Sequence, residues 1–151
     1  MTHSLQIREI LSSKGGSVWS IQPEATVFQA IQMMADKNIG ALLVTKGDKL
    51  VGIISERDYT RKVALVGRSS KETLVREILS GRIVTVSPDH SIEDCMRLMT
   101  EHRVRHLPVM DGKTILGVVS IGDLVNRIIS AQNSAIEQLE TYITGFPNPH
   151  A

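Results

Sequence analysis

Two serine and aspartate pairs with identical spacing are the residues of this chain best suited to binding a ligand. Ser55 and Asp58 lie in the segment GIISERD, and Ser120 and Asp123 lie in GVVSIGD. Each segment leads from a β-rich run into a helical run, so a hydroxyl, backbone N–H groups and a carboxylate meet at a helix start. Such a carboxylate can accept two hydrogen bonds from vicinal hydroxyls, as a ribose presents them. The same residues can also serve only as helix caps, and this alternative stays open.

The two pairs occupy equivalent positions in an internal repeat. A shift of 65 residues places 18–63 over 83–128 without a gap. Eight positions are then identical: Pro23/Pro88, Met34/Met99, Leu42/Leu107, Val44/Val109, Gly47/Gly112, Gly52/Gly117, Ser55/Ser120 and Asp58/Asp123. The pentapeptide REILS also occurs twice, at 8–12 and 76–80, ahead of each copy. The duplication predicts sites in pairs.

Each copy has the same order of predicted elements. VWSIQP and IVTVSP are short β-rich runs that end at proline. Thr26 and Ser91 follow at N-cap positions, each before apolar residues with helical spacing. A β-hairpin with a glycine-bearing turn comes next, then a closing helix over ERDYTRKVALV or IGDLVNRIIS. A single unit leaves one sheet face open. We therefore predict an α/β (α+β) fold in which two tandem β-α-β-β-α units pack face to face about a pseudo-twofold axis.

Composition limits the classes of protein to which the chain can belong. It has 151 residues, a net charge of +1 and one cysteine, Cys95. The near-neutral charge gives no bias toward nucleic acid or an anionic membrane, and a single cysteine excludes an intramolecular disulfide. The sequence shows neither a signal peptide nor a long apolar run. We expect a cytoplasmic protein with no nucleic-acid or membrane partner, and a Cys95 that fills the core.

The motifs resemble a tandem pair of CBS domains, also called a Bateman module, of the small stand-alone bacterial type. The first copy matches through VFQAIQMM, NIGALLV and LVGIISERD, and the second through IEDCMRLM, RVRHLPV and ILGVVSIGDL. The resemblance implies a regulatory, signal-transducing module that binds AMP, ADP, ATP, S-adenosylmethionine or NAD between its repeats, without catalysis and with no catalytic cofactor. It also implies a homodimer and a downstream protein partner of unknown identity.

The resemblance assigns roles to individual residues. Asp58 and Asp123 match the ribose-binding aspartate, and Ser55 and Ser120 match its supporting serine or threonine. Arg105 and His106 precede LPV, where phosphate-binding members place basic residues. The matching Gly40 and Ala41 cannot pair with phosphate, so we expect the cleft containing Asp123 to bind better or to bind a different nucleotide.

Eight further residues extend these assignments. Arg57, Arg61 and Lys62 either supply charge near the pseudo-twofold axis or form a solvated helical face. The resemblance implies an adenine pocket lined near five apolar residues: Val18, Ile21, Ile83, Val84 and Val86. We expect residues 1–72 to hold a lead-in helix, the first repeat and a linker, 73–130 the second repeat, and 131–151 a C-terminal helix and tail.

Three other interpretations make different predictions. A structural dimerisation module with vestigial clefts would bind no nucleotide. A nucleotide-hydrolysing enzyme would need a carboxylate pair, a nucleophile with its base or a metal cluster, and the pattern provides none. His102 and His106 have the i, i+4 spacing of zinc ligands, but a strand is predicted over 104–109, so we expect the helix to end near His102 and no metal site to form.

Overall fold

A computed structural model describes residues 6–15, 18–79 and 82–144 of the chain. In chain order its regular elements are α1 (Ile7–Lys14), β1 (Ser20–Ile21), α2 (Val27–Lys37), β2 (Ala41–Lys46), β3 (Lys49–Ser55), α3 (Glu56–Tyr59), α4 (Ile92–His102), β4 (His106–Asp111), β5 (Thr114–Ser120) and α5 (Ile121–Thr144). A π-helical turn (Thr60–Ala64) continues α3, and a 3-10 turn (Val75–Glu77) precedes the second repeat. The two-unit α/β arrangement predicted from the repeat is confirmed.

The two hairpins are built alike. β2 and β3 are antiparallel, as are β4 and β5, and each pair has a register shift before its turn. The turn glycines Gly47 and Gly112 have φ values of 62° and 59°, a conformation that glycine adopts without steric cost. Both predicted hairpins are confirmed.

The predicted first strand of each unit is shorter than the β-rich runs indicate. β1 pairs in parallel with β2 through two residues only. In the second unit, the IVTVSP run is not a strand, because Val86 alone makes a parallel bridge, to Val109. The prediction of a full strand there is wrong. The Val86 N–H donates a hydrogen bond to the Pro108 carbonyl, and the Val86 carbonyl accepts one from the Met110 N–H. These two bonds connect the run to the hairpin.

Both predicted N-caps form complete capping boxes. The Thr26 hydroxyl accepts a hydrogen bond from the Gln29 N–H, while the Gln29 side chain accepts one from the Thr26 N–H. Ser91 and Asp94 repeat this exchange at the start of α4. These bonds satisfy N–H groups that a helix leaves without intrahelical partners. The cap therefore fixes where each helix begins.

The chain segments ahead of the two repeats are exchanged between the two cores. Ile7 and Ile10 of α1 are buried in the core of the second repeat, together with Leu107 and Leu124. Val75 and Ile78, which precede the second repeat, are buried instead in the core of the first. Backbone bridges follow the same exchange, from Gln6 to Ser91 and from Leu74 to Thr26. Each unit thus completes the hydrophobic core of the other, which holds the two together.

The last helix runs without interruption across the predicted boundary at residue 130. α5 extends for 24 residues, and its first part contributes the buried Leu124 to the second core. Its second part carries exposed apolar side chains, among them Ile136, Leu139 and Ile143. The predicted tail from residue 145 onward lies outside the described residues. Within the described ranges, no helix combines the length and apolar character needed to cross a membrane.

Candidate functional site

The larger of two clefts between the repeats encloses about 420 Å³. The first repeat supplies one wall, which includes Trp19 and the turn from Asn38 to Ala41. The second repeat supplies the opposite wall from the end of β5 and the start of α5, including Val118, Ser120 and Asp123. α1 closes one side with Leu11 and Lys14. The cleft is therefore an inter-repeat cleft, as the duplication predicts.

Asp123 is held in this cleft by several hydrogen bonds. Its Oδ2 accepts one from the Ser120 N–H at 2.8 Å and one from Lys14 Nζ at 2.8 Å. The Ser120 hydroxyl accepts from the Asp123 N–H at 3.1 Å. Burial raises the pKa of Asp123, but the bonds from Lys14 and Ser120 outweigh burial and lower it below its usual value. The carboxylate is therefore ionised and fixed in orientation at neutral pH.

The smaller cleft has a volume of about 130 Å³ and a strongly basic lining. It contains four arginines, Arg57 and Arg61 from the first repeat and Arg103 and Arg105 from the second. The positive charges of Arg105 and Arg61, in that order, lower the pKa of Arg57. Guanidinium groups that oppose one another in this way are ready to bind a multiply charged anion. We call these four residues the arginine cluster.

The position of Arg105 corrects the sequence-based prediction of cleft asymmetry. Arg105 does not line the cleft that contains Asp123, but the one that contains Asp58. Gly40 and Ala41 line the Asp123 cleft instead. The reason is the face-to-face packing, which brings the start of β4 in one repeat against the end of β3 in the other. The clefts do differ in charge, but the more basic cleft is the one that contains Asp58, whereas we expected the one that contains Asp123.

Asp58 forms the same local structure in the smaller cleft. Its Oδ2 accepts hydrogen bonds from the Ser55 N–H at 2.9 Å and the Ser55 hydroxyl at 3.0 Å. Lys62 lies 3.4 Å from Asp58 Oδ1 and donates a hydrogen bond to the Ile78 carbonyl. Lys62 does not line this cleft, and its ammonium group contacts these two acceptors instead. The helix-capping interpretation of both Ser and Asp pairs is thus confirmed, and both carboxylates still face a cleft.

His106 is common to both clefts. It lines each of them, and its ring lies against Gly40, with Nε2 3.4 Å from where a Cβ of residue 40 would be. Burial is the main cause that lowers the pKa of His106, while the charge of Asp123 acts in the opposite direction. Its imidazole is therefore neutral at pH 7 and lies between two potential ligand sites.

The five residues expected around an adenine are not brought together. Val18 lines the larger cleft. Ile21 and Val86 are buried in the two cores, because they belong to the chain that pairs with β2 and β4. Ile83 and Val84 line neither cleft, and Val84 packs against the second core. Val18 alone of the five lines one of the two clefts described above, and the adenine pocket stays a prediction.

Three charged or aromatic cleft residues escaped the sequence-based analysis: Trp19, Lys14 and Arg103. Trp19 is 40% exposed on the wall of the larger cleft, and Lys37 Nζ lies 4.1 Å from the centre of its ring. Its status as the only tryptophan was a usable signal. The sequence gives no such signal for Lys14 and Arg103, because only the exchange of α1 and the packing of the repeats bring them into the clefts.

The histidine pair does not assemble into a metal site. α4 ends at His102 and His106 begins β4, as predicted, so the two rings do not share a helical face. Among residues 6–15, 18–79 and 82–144, no group of three or more histidine, cysteine, aspartate or glutamate side chains is placed to hold a metal ion.

Comparison with known proteins agrees with the duplicated fold. The family model for the CBS domain matches this chain twice, over residues 7–65 and 75–130. The chain belongs to the CBS-domain family. The exchanged cores and the two inter-repeat clefts described above are therefore those of a CBS-domain pair.

Two relatives are similar along most of the chain. The mitochondrial CBS domain-containing protein CBSX3 of Arabidopsis thaliana is 40% identical over 152 residues, which cover 94% of this chain and 73% of that protein. The CBS domain-containing protein YhcV of Bacillus subtilis is 32% identical over 117 residues, covering 78% of this chain and 83% of YhcV.

Solved structures show the same architecture. A protein with CBS domains from Burkholderia ambifaria MC40-6 superposes with a TM-score of 0.80 at 48% identity, covering 84% of this chain and 96% of that one. A hexameric CBS-CP12 protein from bloom-forming cyanobacteria superposes with a TM-score of 0.73 at 29% identity, covering 99% of this chain and 89% of that one. The latter extends over the C-terminal helix as well.

Proposed function

We propose that this chain is a non-catalytic regulatory module that binds an adenosine-containing nucleotide, AMP, ADP, ATP or NAD, in the clefts between its CBS repeats. Binding would be passed on as a change in how the two repeats pack. The observation that carries the proposal is the larger cleft of about 420 Å³, to which the second repeat contributes the fixed carboxylate of Asp123 and the first repeat contributes Trp19. CBS-domain pairs are commonly regulatory, and the family resemblance implies the class of ligand.

The lining of the larger cleft supports a nucleoside as the ligand. A ribose presents two adjacent hydroxyl donors, which an ionised carboxylate can accept. The indole of Trp19 offers a flat apolar surface on which a base can stack. The turn from Asn38 to Ala41, also from the first repeat, lines the same cleft. With this division of roles, we expect the sugar to lie toward the second repeat and the base toward the first.

The arginine cluster supports a phosphorylated ligand. Guanidinium groups bind phosphate oxygens with paired hydrogen bonds, and the cluster lies in the cleft that shares His106 with the larger one. A phosphate chain bound there would relieve the repulsion of Arg57 by Arg105 and Arg61. The smaller cleft therefore favours anionic nucleotides over neutral nucleosides.

A ligand between the repeats can act as a switch because each cleft has walls from both units. Binding would draw the walls together only if the ligand has different affinity for the two arrangements. The exposed apolar residues of α5 offer a surface through which a homodimer could form and a downstream protein could detect the change. The homodimer, the downstream partner and the cytoplasmic location stay predictions.

Trp19 provides a direct test of nucleotide binding. Because it is the only tryptophan, its fluorescence reports on the larger cleft alone. We expect AMP, ATP or NAD to change this fluorescence and to raise the melting temperature. A ligand at a hundred times its dissociation constant would add about 2.7 kcal/mol to the free energy of unfolding. Native mass spectrometry of the purified protein would identify a bound nucleotide and its number per chain.

Two matched variants complete this experiment. Asp123→Asn removes the carboxylate charge in the cleft, while Asp111→Asn makes the same change at the exposed end of β4 in the same repeat. We expect only Asp123→Asn to weaken binding. If no adenine nucleotide at millimolar concentration changes the fluorescence or the melting temperature, the proposal fails and a structural dimerisation module takes its place.

A further inference from the structure

Lys14 occupies the position in the larger cleft where a ligand would meet Asp123. Its ammonium group donates to Asp123 Oδ2 at 2.8 Å and to the Val118 carbonyl at 2.9 Å. Both acceptors line the cleft. A ligand that donates hydrogen bonds to the same carboxylate must therefore compete with this side chain.

The lysine comes from a segment that is otherwise firmly attached. α1 buries Ile7 and Ile10 in the second core, and Arg8 pairs with Asp89 at 2.7 Å. Lys14 is the last residue of the helix, and Gly15 follows with a φ of 82°. The Lys14 ammonium group can thus leave Asp123 while the buried part of the helix stays in place.

The contact is weak enough to be displaced. The Lys14 and Asp123 side chains are 43% and 22% exposed, respectively. Ion pairs that remain in contact with water contribute little to stability, since salt screens the pair and the exposed lysine keeps part of its hydration. In the other cleft, Asp58 is paired with Lys62, which lies four residues further along the same chain segment and does not come from the exchanged helix.

We propose that Lys14 is a built-in competitor that gates the larger cleft: a ligand must displace its ammonium group from Asp123 and Val118, and this displacement releases the last turn of the α1 helix. The inference rests on the proposed function, since it concerns the same cleft. It makes α1, a segment exchanged into the second repeat, the first element to respond when a ligand binds. The lysine thus sets the affinity of the cleft for its ligand. It also connects ligand binding to α1, so that this helix can transmit the change to the rest of the chain.

The gate is tested with adenosine and AMP as probes, by calorimetry, on the wild-type protein and on Lys14→Met. Loss of an exposed ion pair corresponds to at most about a fivefold change in an equilibrium constant. We expect Lys14→Met to bind adenosine about three- to fivefold more tightly than the wild type. Arg8→Met, which removes an ion pair from the same helix outside the cleft, should leave the affinity unchanged. Added salt should strengthen adenosine binding to the wild type and not to Lys14→Met.

Other outcomes overturn the gate in different ways. If Lys14→Met weakens AMP binding and leaves adenosine binding unchanged, Lys14 is a phosphate ligand and not a competitor. A double-mutant cycle of Lys14→Met and Asp123→Asn, followed by thermal unfolding, tests the contact without any ligand, and additive effects would show that it does not form. If the two residues are coupled but neither the wild type nor Lys14→Met binds a probe, the proposed function itself fails, and the gate fails with it.

Discussion

Leu79 packs directly against Gly52, with both of its methyl carbons 3.1 Å from the position that a Cβ of residue 52 would take. Leu11 stands in the same relation to Gly117, at 3.1 Å. The two leucines are the fourth residues of the two REILS pentapeptides, and the two glycines are equivalent positions of β3 and β5. The repeated pentapeptide and the repeated glycine are therefore two halves of one contact, made twice across the exchanged segments.

This contact predicts that a larger side chain at residue 52 destabilises the fold. Gly52→Val should lower the free energy of unfolding by about 1–3 kcal/mol, because the added carbons overlap the Leu79 methyl groups. Replacing Leu79 with alanine in the same chain makes room and should recover part of that loss. Urea unfolding of the two single variants and the double variant measures the coupling.

Gly122→Ala is the matched control for this prediction. A Cβ at residue 122 would meet only the Ser120 hydroxyl, at 3.7 Å, and the position lies within α5. We expect this change to be neutral or stabilising, since alanine favours a helix over glycine. Additive effects of Gly52→Val and Leu79→Ala would contradict the contact described above.

The two copies of REILS also show how far local sequence determines this fold. The first copy begins the eight-residue helix α1, whereas in the second only a three-residue 3-10 turn forms around Arg76. The difference arises because the backbone N–H groups of Val75 and Arg76 donate to Ala25 and Pro23 of the first repeat. Identical letters therefore predicted a repeat but not its conformation, which tertiary hydrogen bonds decide.

In the candidate site too, some features follow from local sequence and others depend on tertiary packing. The Ser and Asp pairs were predictable, because a capping box lies within four consecutive residues. The cleft to which Arg105 belongs could not be predicted, since it depends on the packing of the second repeat against the first. The same holds for Lys14, which reaches Asp123 across 109 positions of sequence. Spacing within one element can be read from the sequence, but contacts between units require the structure.

The N-cap of α4 predicts a second change in stability. Ser91→Ala removes the acceptor of the Asp94 N–H, and it should lower the free energy of unfolding by about 0.5–2 kcal/mol. The hydrogen bonds from Ser91 are also the main causes that lower the pKa of Asp94. That stabilisation is present above the ordinary carboxyl pKa and is lost as the pH falls through the lowered one. The effect of Ser91→Ala should therefore shrink in acid.

Thr100→Ala serves as the control in the same helix. Thr100 is exposed and bonds only to the Met96 carbonyl one turn earlier, so its replacement should cost little. Chemical unfolding of both variants at pH 7 and at about pH 3 tests the prediction. An equal loss of stability for Ser91→Ala at both pH values would contradict the linkage to Asp94.

Cys95 allows a test of the core of the second repeat. Its side chain is buried, and burial raises the pKa of its thiol to about 11. Because the thiolate is the reactive species, the folded protein should react with a disulfide reagent at pH 8 at least a hundredfold more slowly than the unfolded protein. The chain has no other cysteine, so the chromophore that the disulfide reagent releases on reaction reports on this thiol alone. Rapid reaction without denaturant would mean that Cys95 is not buried in the core of the second repeat.

The last prediction concerns His106, which lies between the two clefts. Burial lowers the pKa of His106, so the folded protein resists protonation while the unfolded protein takes up a proton near pH 6.5. This part of the stability should fall as the pH drops below about 6.5. A phosphate bound beside the arginine cluster would favour the imidazolium and raise the pKa of His106. AMP binding at about pH 6 should therefore take up protons, which calorimetry in buffers of different ionisation enthalpy measures directly.

Two histidine variants separate this effect from other groups. His106→Asn should abolish most of the proton uptake, whereas His102→Asn, at the exposed end of α4 and outside both clefts, should retain it. Because His106 lines both clefts, occupancy of either one would change its charge and thereby alter the affinity of the other for an anion. Proton uptake that persists in His106→Asn would place the titrating group elsewhere and remove the link between the clefts.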